Sequence, residues 1–286
     1  MIEFSNGYRF EYMAASGTVR FGEGWLIDRM LTKIGLLDLS VLDVAVTKTV
    51  TRYPKEGNYD WYKPWTSIHP IKNGIVNAVG LTNPGIEWWC REIGPKISSS
   101  KIPLIGSIFS DDVNELGEMA IMFNDFDFVG IELNESCPSI CGNHLQSAKK
   151  VVEDCKMAHR NSCHPIILKL SVIHPIEVIV PRIKGMVEAI SINSVPWFIA
   201  FNKKSPLAHF GGGVSGKAAQ PHTWRLAEKL VKITDIPVIG PSVWEFSDIE
   251  KLEKLGAKAF SFGSIFFHPW RLRRILKAIK KNRTLI

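Results

Sequence analysis

The hydrophobic and polar positions of the chain divide it into two kinds of segment that alternate along most of its length. Eight short runs are apolar almost without interruption, which is typical of parallel strands that are covered on both faces. Each run ends in polar residues or glycine, and most are followed by a stretch in which apolar residues recur with helical spacing. The pattern therefore predicts eight parallel strands that alternate with helices. The runs occupy residues 12–16, 43–50, 102–108, 128–134, 165–171, 188–194, 236–242 and 259–265.

The helical stretches carry recognisable start and stop signals. Residues 110–123 are expected to begin at Ser110 as N-cap, with acidic residues in the first turn. A later helix is expected to begin at Ser247 as N-cap and to end at Gly256. The alternation predicts a closed (β/α)8 TIM barrel of the α/β class, and 286 residues suit a single domain, 1–286, of this fold.

The segment from 51 to 101 does not fit one strand and one helix. It contains "RYPKEGNYDWYKPW" and "NAVGLTNPGIEWW", which are rich in Gly, Pro, Asn and Trp. Long insertions in compact domains commonly shape a functional site. We expect an elaborated loop over the C-terminal face of the barrel.

Positive charge is concentrated at the end of the chain. The formal net charge is +7, and residues 271–286 hold seven Lys or Arg and no acidic residue. Leu272, Ile275, Leu276 and Ile279 have the spacing of one apolar helix face. The pattern favours an amphipathic final helix with a solvated basic face. A nucleic-acid surface stays open as the alternative, because such binding starts from a clustered basic face.

The cysteine content and the hydropathy pattern bound the class of protein. Five cysteines at irregular spacing favour reduced thiols over a disulfide framework, and no set of four has the spacing of a zinc site. Neither a signal peptide nor an apolar stretch of membrane-spanning length is visible. We therefore expect a soluble cytoplasmic protein without a bound metal.

Polar residues at the ends of the eight runs are the main indication of function. The C-terminal ends of the strands in a (β/α)8 barrel converge on one mouth, where ligands bind. Lys48, Asn134, Lys169 and Asn193 fall at such ends, and ammonium and amide groups there are costly unless something pairs with them. A polar ligand at the barrel mouth is the simplest explanation.

The last two loops favour a phosphate group. Gly263 and Ser264 end the eighth run with unobstructed backbone N–H groups and a hydroxyl, at the usual phosphate position of these barrels. The run "FGGGVSGKAAQP" at 210–221 is glycine-rich and leads into a helix. Together the two features predict a site for the phosphate of a mononucleotide.

Seven motifs resemble, in order, those of the class 1 dihydroorotate dehydrogenases and of the related dihydropyrimidine dehydrogenase catalytic domains. They are "MAASG", "VTKT", "VNAVGLTNPG", "ELNESCP", "LKLS", "INSV" and "GGGVSG", and the likeness runs from about Met13 to Trp270. The resemblance implies a barrel that binds flavin mononucleotide (FMN) and oxidises dihydroorotate, or a closely related dihydropyrimidine, in pyrimidine biosynthesis. The chain starts at the barrel, so the membrane-associating extension of the quinone-linked class is not expected.

The resemblance also implies a role for each motif residue. Cys137 would be the base that removes a proton from the substrate while the neighbouring carbon passes a hydride to the flavin. Lys169 would lie at the N1/O2 edge of the flavin ring. The substrate would contact Lys48, Asn77, Asn134, Ser139, Asn193 and Ser194. The flavin would contact Ala15, Ser16, Gly17, Lys48, Thr49, Ser107, Asn134, Lys169, Asn193, Ser215, Gly216, Ser242, Gly263 and Ser264.

Two positions depart from the family's motifs. The family's "SCPN" is "SCPS" here, so Ser139 stands where an asparagine holds the pyrimidine. The usual Gly-Gly after the seventh strand is Pro241-Ser242, and proline has no backbone N–H to offer a phosphate. The first departure leaves the exact pyrimidine open, and the second bears on phosphate binding.

Two other functions fit part of the same pattern. The flavin-dependent tRNA dihydrouridine synthases have a comparable Asn-x-x-Cys-Pro loop, and "HPWRL" with the basic final helix agrees with them. A flavin-binding protein without catalysis would agree with Pro241 and Ser139. The motifs "GGGVSG", "VNAVGLTNPG" and "INSV" favour the pyrimidine oxidoreductases.

The electron acceptor is not specified by any one motif. Relatives pass electrons to fumarate or to a separate iron–sulfur flavoprotein subunit, and the spacing from "INSV" to "GGGVSG", with "KKSPLAHF", is closer to the latter. We expect a small-molecule dihydropyrimidine as substrate and a homodimer or a hetero-oligomer with an electron-transfer flavoprotein subunit. Neither a membrane nor a nucleic acid is expected as partner.

Overall fold

The computed structural model describes residues 1–60, 62–135, 147–207 and 211–284. Strands and helices alternate along these residues, as the hydrophobic pattern predicts. The strands are β1 (Ile2–Glu3), β2 (Arg9–Phe10), β3 (Tyr12–Ala14), β4 (Val44–Val46), β5 (Ile68–Ile71), β6 (Gly74–Asn77), β7 (Leu104–Ile108), β8 (Phe128–Asn134), β9 (Ile166–Leu170), β10 (Ala189–Ile192), β11 (Val195–Pro196), β12 (Gly213–Gly216), β13 (Ile239–Gly240) and β14 (Ala259–Phe262). The α-helices are α1 (Leu26–Lys33), α2 (Ile86–Glu92), α3 (Val113–Phe123), α4 (Ala148–Asn161), α5 (Ile176–Ile179), α6 (Trp197–Ala200), α7 (Gln220–Ile233), α8 (Ser247–Lys254) and α9 (Pro269–Arg283).

One sheet of eight parallel strands forms the centre of the molecule, in the order β10-β9-β8-β7-β4-β3-β14-β13. A parallel bridge between Ile190 of β10 and Val238, next to β13, joins its two edges. Each strand lies within one of the eight apolar runs of the sequence. The predicted (β/α)8 barrel is therefore confirmed.

The N-terminal end of the barrel is closed by the first hairpin. Since β2 runs directly into β3, the antiparallel pair of β1 and β2 lies below the strand starts and packs on the barrel interior. This leaves the opposite end, where the strands finish, for a ligand. The interior cluster consists of Ile2, Phe4, Phe10, Met13, Val44, Val46, Ile105, Ile167, Ala189, Ile239 and Ala259.

A second, antiparallel sheet covers part of the open end. The hairpin of β5 and β6 comes from the long insertion, β6 pairs with β12, and β12 pairs with β11. The expected loop is therefore partly a sheet, and the glycine-rich run supplies one of its strands rather than a simple loop. Gly74 and Gly216 pair directly, and a Cβ on Gly74 would lie 2.1 Å from the carbonyl oxygen of Ser215. Glycine is needed here because two backbones approach closely.

Two helix starts differ from the sequence prediction. Asp112, not Ser110, caps α3, because its carboxylate accepts hydrogen bonds from the backbone N–H groups of Asn114 (2.7 Å) and Glu115 (3.3 Å). Ser247 is the first residue of α8 and makes no capping bond. At each start an acidic side chain binds backbone N–H groups: Asp112 binds those in the first turn of α3, and Asp248 binds those of Trp244 and Glu245 just before α8.

The final helix α9 has the predicted amphipathic form. Its apolar face is buried, and two of its basic side chains bind acidic residues of the barrel. Lys280 Nζ lies 2.7 Å from Asp38 Oδ2, and an Arg283 Nη atom lies 2.7 Å from Asp43 Oδ1. These two cations therefore hold the helix against its own barrel. Within the described part of the chain, no helix is long and apolar enough to cross a membrane.

Candidate active site

A pocket of about 1000 Å³ opens at the C-terminal end of the barrel, between the strand ends and the antiparallel sheet. Most of the residues predicted from the sequence to bind substrate or flavin line it. They are Ala15, Ser16, Gly17, Lys48, Thr49, Asn77, Asn134, Lys169, Asn193, Ser194, Ser215, Gly216, Ser242, Gly263 and Ser264.

The floor of the pocket holds a buried ion pair that the sequence analysis did not identify. Glu132 is 1% exposed and lies two residues before Asn134, so both side chains point to the same face of β8. Its Oε1 atom accepts from Lys169 Nζ and from Ser107 Oγ, each at 3.2 Å. Its Oε2 atom accepts from Ser191 Oγ at 3.1 Å. A charged residue in an apolar strand, in phase with Asn134, was the signal that could have revealed it.

A chain of hydroxyl groups connects this floor to Asn134. The Asn134 amide donates to Thr49 Oγ1 at 2.9 Å, and Thr49 Oγ1 is 2.8 Å from Ser107 Oγ. Ser107 is completely buried and does not line the pocket. Contact between Ser107 and a ligand would therefore be indirect, through Thr49.

The insertion contributes a rigid turn next to Asn77. Gly80 and Leu81 have φ values of 69° and 56°, and the turn is fixed by the side chain of Asn83. The Asn83 Oδ1 atom accepts from the backbone N–H groups of Thr51 (3.1 Å) and Gly85 (2.9 Å), while Nδ2 donates to the carbonyl of Leu81 at 2.7 Å. Asn83 therefore explains why the "NAVGLTNPG" motif holds its shape.

The expected phosphate region carries one non-glycine residue in a left-handed conformation. Ser242 has a φ of 61°, its carbonyl accepts from Gln220 Nε2 at 3.0 Å, and its hydroxyl lies 3.3 Å from Thr223 Oγ1. These bonds to α7 offset the cost of a conformation that favours glycine. Ser264 begins a short 3-10 helix, is 9% exposed and lines the pocket.

An aromatic wall on the other side of the pocket was not predicted. It contains Trp25 and Trp88, at the starts of α1 and α2, together with Tyr59 and Trp65 of the long insertion. Arg20, with a φ of 52°, places its guanidinium 5.2 Å from the centroid of the Trp25 ring.

Asp28 of α1 also lines the pocket. The side chain is 7% exposed, and burial raises its pKa from 3.8 to about 6. A carboxyl with this pKa changes charge near neutral pH, which makes Asp28 a further candidate for a role in the site.

Cys137 and Ser139 lie outside the described residues, as does Cys141. Of the other cysteines, Cys90 and Cys155 are free thiols in the described part of the chain, as is Cys163. The described residues contain no group of three or more His, Cys, Asp or Glu side chains that could hold a metal ion.

The fold and the pocket together define a class of protein. A (β/α)8 barrel with lysine, asparagine and serine side chains around one large cleft at its C-terminal face is the arrangement of a barrel enzyme. The family model for dihydroorotate dehydrogenase matches residues 6–282, and the chain belongs to this family. Members of the family are flavoenzymes, and the chain is therefore an oxidoreductase that acts on CH–CH bonds.

Several relatives match nearly the whole chain. A protein of Maridesulfovibrio salexigens is 29% identical over 281 residues, which cover 94% of this chain and 88% of that protein. A protein of Geobacter metallireducens is 30% identical over 277 residues, 92% of this chain and 86% of that protein. One of Petrotoga mobilis is 28% identical over 295 residues, 98% and 91% of the two chains. All three are named dihydroorotate dehydrogenase B (NAD(+)), catalytic subunit. These matches confirm the pyrimidine oxidoreductase interpretation over the tRNA-modifying one.

Proposed function

We propose that this protein oxidises dihydroorotate to orotate with FMN bound across the mouth of the barrel. The observation that carries the proposal is that one pocket is lined by two lysines and three asparagines, Lys48, Lys169, Asn77, Asn134 and Asn193. Three amides offer both donors and acceptors, which suits the alternating N–H and C=O edge of a pyrimidine ring. The lysines supply positive charge for a carboxylate and for a reduced flavin.

The residues present fit a flavin mononucleotide. The pocket volume of about 1000 Å³ lies at the upper end of the range for small-molecule sites, which leaves room for a cofactor and a small substrate together. Ser264 and Gly263 offer donors for a phosphate where barrels of this type bind one. Lys169 would hold the N1/O2 edge of the ring, and Ser215 and Gly216 of β12 would cover the phosphate side.

The residues of the chain have separate tasks in the reaction. Cys137 removes a proton from a ring carbon of the substrate, and a thiol with a pKa of about 8.5 can serve as base when its site favours the thiolate. Asn134, Asn193 and Ser194 hold the ring, while Lys48 binds the substrate carboxylate. Bound FMN would supply the acceptor for the hydride that leaves the neighbouring carbon. Glu132 keeps the Lys169 ammonium in place from below.

The identity of the pyrimidine depends on Ser139. A serine hydroxyl offers one donor at shorter reach than the two donors and one acceptor of an asparagine amide. Dihydroorotate is the first choice because Lys48 lines the pocket and its ammonium group suits a carboxylate. An uncharged dihydrouracil-type ring is the second.

A separate protein receives the electrons in our proposal. The relatives are named catalytic subunits, which implies a second subunit in those proteins. In this chain, Trp65 of the aromatic wall and Phe267 both line the pocket and are 62% and 57% exposed, so aromatic side chains extend from the pocket to the surface. Large exposed aromatic side chains are typical anchors of protein interfaces.

The decisive experiment is anaerobic titration of the purified protein with a panel of dihydropyrimidines. We expect a yellow protein whose flavin absorbance bleaches with dihydroorotate. A protein that neither carries nor binds FMN, or a flavin that no dihydropyrimidine reduces, would contradict the proposal. If only an uncharged dihydropyrimidine reduces the flavin, the substrate is the dihydrouracil-type ring.

A further inference from the structure

Glu135 lies next to Asn134 but on the outer side of the barrel. Successive side chains at a strand end point to opposite faces, so Asn134 lines the pocket while Glu135 packs toward α4. Glu135 is completely buried, and among the described residues no group donates a hydrogen bond to either of its carboxyl oxygen atoms. An ionised carboxylate without donors is very costly at such a place.

The neighbour of Glu135 is a second buried carboxylate. Asp154 of α4 is also completely buried and lies within hydrogen-bonding reach of Glu135. Its Oδ2 atom accepts from Lys150 Nζ at 2.5 Å, whereas its Oδ1 atom has no donor. Lys150 Nζ also donates to the carbonyl of Ser110 at 3.1 Å. The three side chains therefore contain one cation, two acidic groups and three carboxyl oxygen atoms that receive no hydrogen bond from the described residues.

A single proton neutralises this set and supplies a donor for Asp154. If Glu135 is protonated, its O–H donates to Asp154 Oδ1, and the set of carboxylic acid, carboxylate and ammonium has no net charge. The pair then resembles other close carboxyl pairs, which share a proton because two like charges cannot both be held at short range. Lys150 stabilises the charge of Asp154, so the proton belongs on Glu135.

We propose that Glu135 is a positioning residue, which keeps a proton at neutral pH, donates it to Asp154, and so fixes the end of β8 that presents Asn134 to the pocket. The Asn134 amide depends on this position, because it donates to Thr49 at 2.9 Å while it lines the pocket. A shift at Glu135 would displace the amide from Thr49 and from any substrate.

The surroundings agree with a retained proton. Burial, the neighbouring Asp154 and the more distant Asp111 raise the pKa of Glu135 well above its ordinary value, and Lys150 opposes them. Cys155 of α4 is buried beside the pair, and burial with the two carboxyl groups raises the pKa of its thiol, so it stays neutral. Glu153 also lies near Asp154, and it is exposed.

The shared proton predicts a pH dependence with a definite sign. A raised pKa in the folded state means that the stabilisation is complete at acidic pH and is lost as the pH rises through the folded pKa. Loss of the proton leaves two adjacent negative charges and frees the end of β8. The apparent affinity for substrate should then fall at alkaline pH while the flavin stays bound.

Infrared spectroscopy tests the proton directly and does not depend on the proposed function. We expect the C=O stretching band of a protonated carboxylic acid at neutral pH, which shifts in D2O and disappears in Glu135→Gln. Glu153→Gln is the matched control, because Glu153 is next to Asp154 on α4 but is exposed. This variant should keep the band. A wild-type spectrum without the band, or a band that survives in Glu135→Gln, would overturn the proposal.

Steady-state kinetics test the positioning role, which rests on the proposed function. Glu135→Gln keeps an N–H donor for Asp154 and should retain the neutral-pH KM for dihydroorotate but lose its rise at alkaline pH. Glu135→Ala should lower kcat/KM about ten- to a hundredfold at unchanged flavin content, since small misplacements of binding groups have effects of this size.

An infrared band together with a pH-independent KM would refute the positioning role of Glu135. If Glu135→Ala does not fold, the pH dependence of KM in Glu135→Gln tests the positioning role instead. A wild type that dihydroorotate does not reduce contradicts the proposed function instead, and the infrared result stands.

Discussion

Lys169 Nζ lies 3.2 Å from Glu132 Oε1 inside the barrel, and the two side chains are only 10% and 1% exposed. Glu132 also accepts hydrogen bonds from Ser107 and Ser191, so three donors stabilise the charge of its carboxylate. A buried pair of this kind is costly to form but still more costly to break, because one partner then remains unpaired. The pair holds a cation at a fixed point of the pocket floor, where the proposed flavin ring needs one.

Removal of one member of this pair should destabilise the protein strongly. Lys169→Met leaves Glu132 buried with two hydroxyl donors, and we expect a loss of about 3–5 kcal/mol in the free energy of unfolding. The double variant Glu132→Gln with Lys169→Met should recover most of that loss, since neither charge is left alone. Urea denaturation checks both.

The exposed pair of Lys254 and Glu250 is the control for this prediction, since Glu250→Gln should leave the urea midpoint unchanged. Additive effects of the two substitutions in the barrel would show that Lys169 and Glu132 do not interact energetically.

The barrel and most of the pocket lining could be predicted from the sequence because both follow from local patterns. Apolar runs mark the eight strands, and the polar residue after each run marks the mouth of the barrel. The pairing of β6 with β12 was missed because it joins residues 74–77 to residues 213–216, and no local pattern reports a contact between such distant segments. Ser110 and Ser247 were wrong as caps, because α3 begins two residues later, with Asp112 as its cap, and α8 begins at Ser247 itself.

The aromatic wall could not be predicted from the sequence for a different reason. Trp25, Trp65 and Trp88 reach the pocket from helix starts and loops, where the direction of a side chain depends on the tertiary structure. The role of Asp28 was missed for the same reason. In the sequence it is an ordinary acidic residue in the first turn of α1, which is favourable at a helix N-terminus. Only the three-dimensional arrangement places it inside the cleft.

The sheet above the pocket should tolerate no side chain at Gly216. Its φ is 92°, and a Cβ would lie 2.9 Å from Asn73 O, from Gly74 Cα and from Trp244 Cζ3. Gly216→Ala should therefore destabilise the protein by more than the roughly 1–2 kcal/mol that left-handed backbone alone costs, and it should weaken flavin binding. Thermal unfolding and fluorescence titration with FMN measure the two effects.

Gly7 is the matched control for Gly216. It has a φ of 82° and open space where a Cβ would be placed, far from the pocket. Gly7→Ala should show only the conformational cost of about 1–2 kcal/mol, with normal flavin affinity. Equal losses in the two variants would mean that the contacts around Gly216 are not tight.

Asp28 should make stability depend on pH between about 4 and 6. Its pKa is raised from 3.8 to about 6 by burial, so its protonated form stabilises the fold below pH 3.8 and this contribution is lost as the pH rises through 6. Asp28→Asn should match the wild type at low pH and exceed it in stability at neutral pH. Urea denaturation at a series of pH values gives the comparison, and Asp127→Asn, at an exposed position, should keep the wild-type dependence.

The two cysteines of the "SCPSIC" segment should differ in their effect on catalysis. In our proposal Cys137 is the base, and loss of a positioned acid–base group costs about 10²- to 10⁴-fold in rate. Cys137→Ala should keep its flavin but reduce it very slowly with dihydroorotate, and Cys141→Ala should be mild. Stopped-flow measurement of flavin bleaching distinguishes them, and the opposite order would assign the base to Cys141.

Ser139 decides which pyrimidine the pocket is built for. A lost contact to a buried polar ring edge costs roughly 1–3 kcal/mol, or about one to two decades of kcat/KM. If dihydroorotate is the substrate and Ser139 is a weakened contact, Ser139→Asn should increase kcat/KM for dihydroorotate, because the amide restores two donors and an acceptor. Flavin reduction by dihydroorotate and by dihydrouracil should be compared in both proteins, with Lys48→Met to remove the proposed carboxylate contact. Lys48→Met should slow flavin reduction by dihydroorotate much more than flavin reduction by dihydrouracil. Faster reduction by dihydrouracil in the wild type, with no gain for dihydroorotate in Ser139→Asn, would show that the pocket selects an uncharged ring and that Lys48 serves the flavin alone.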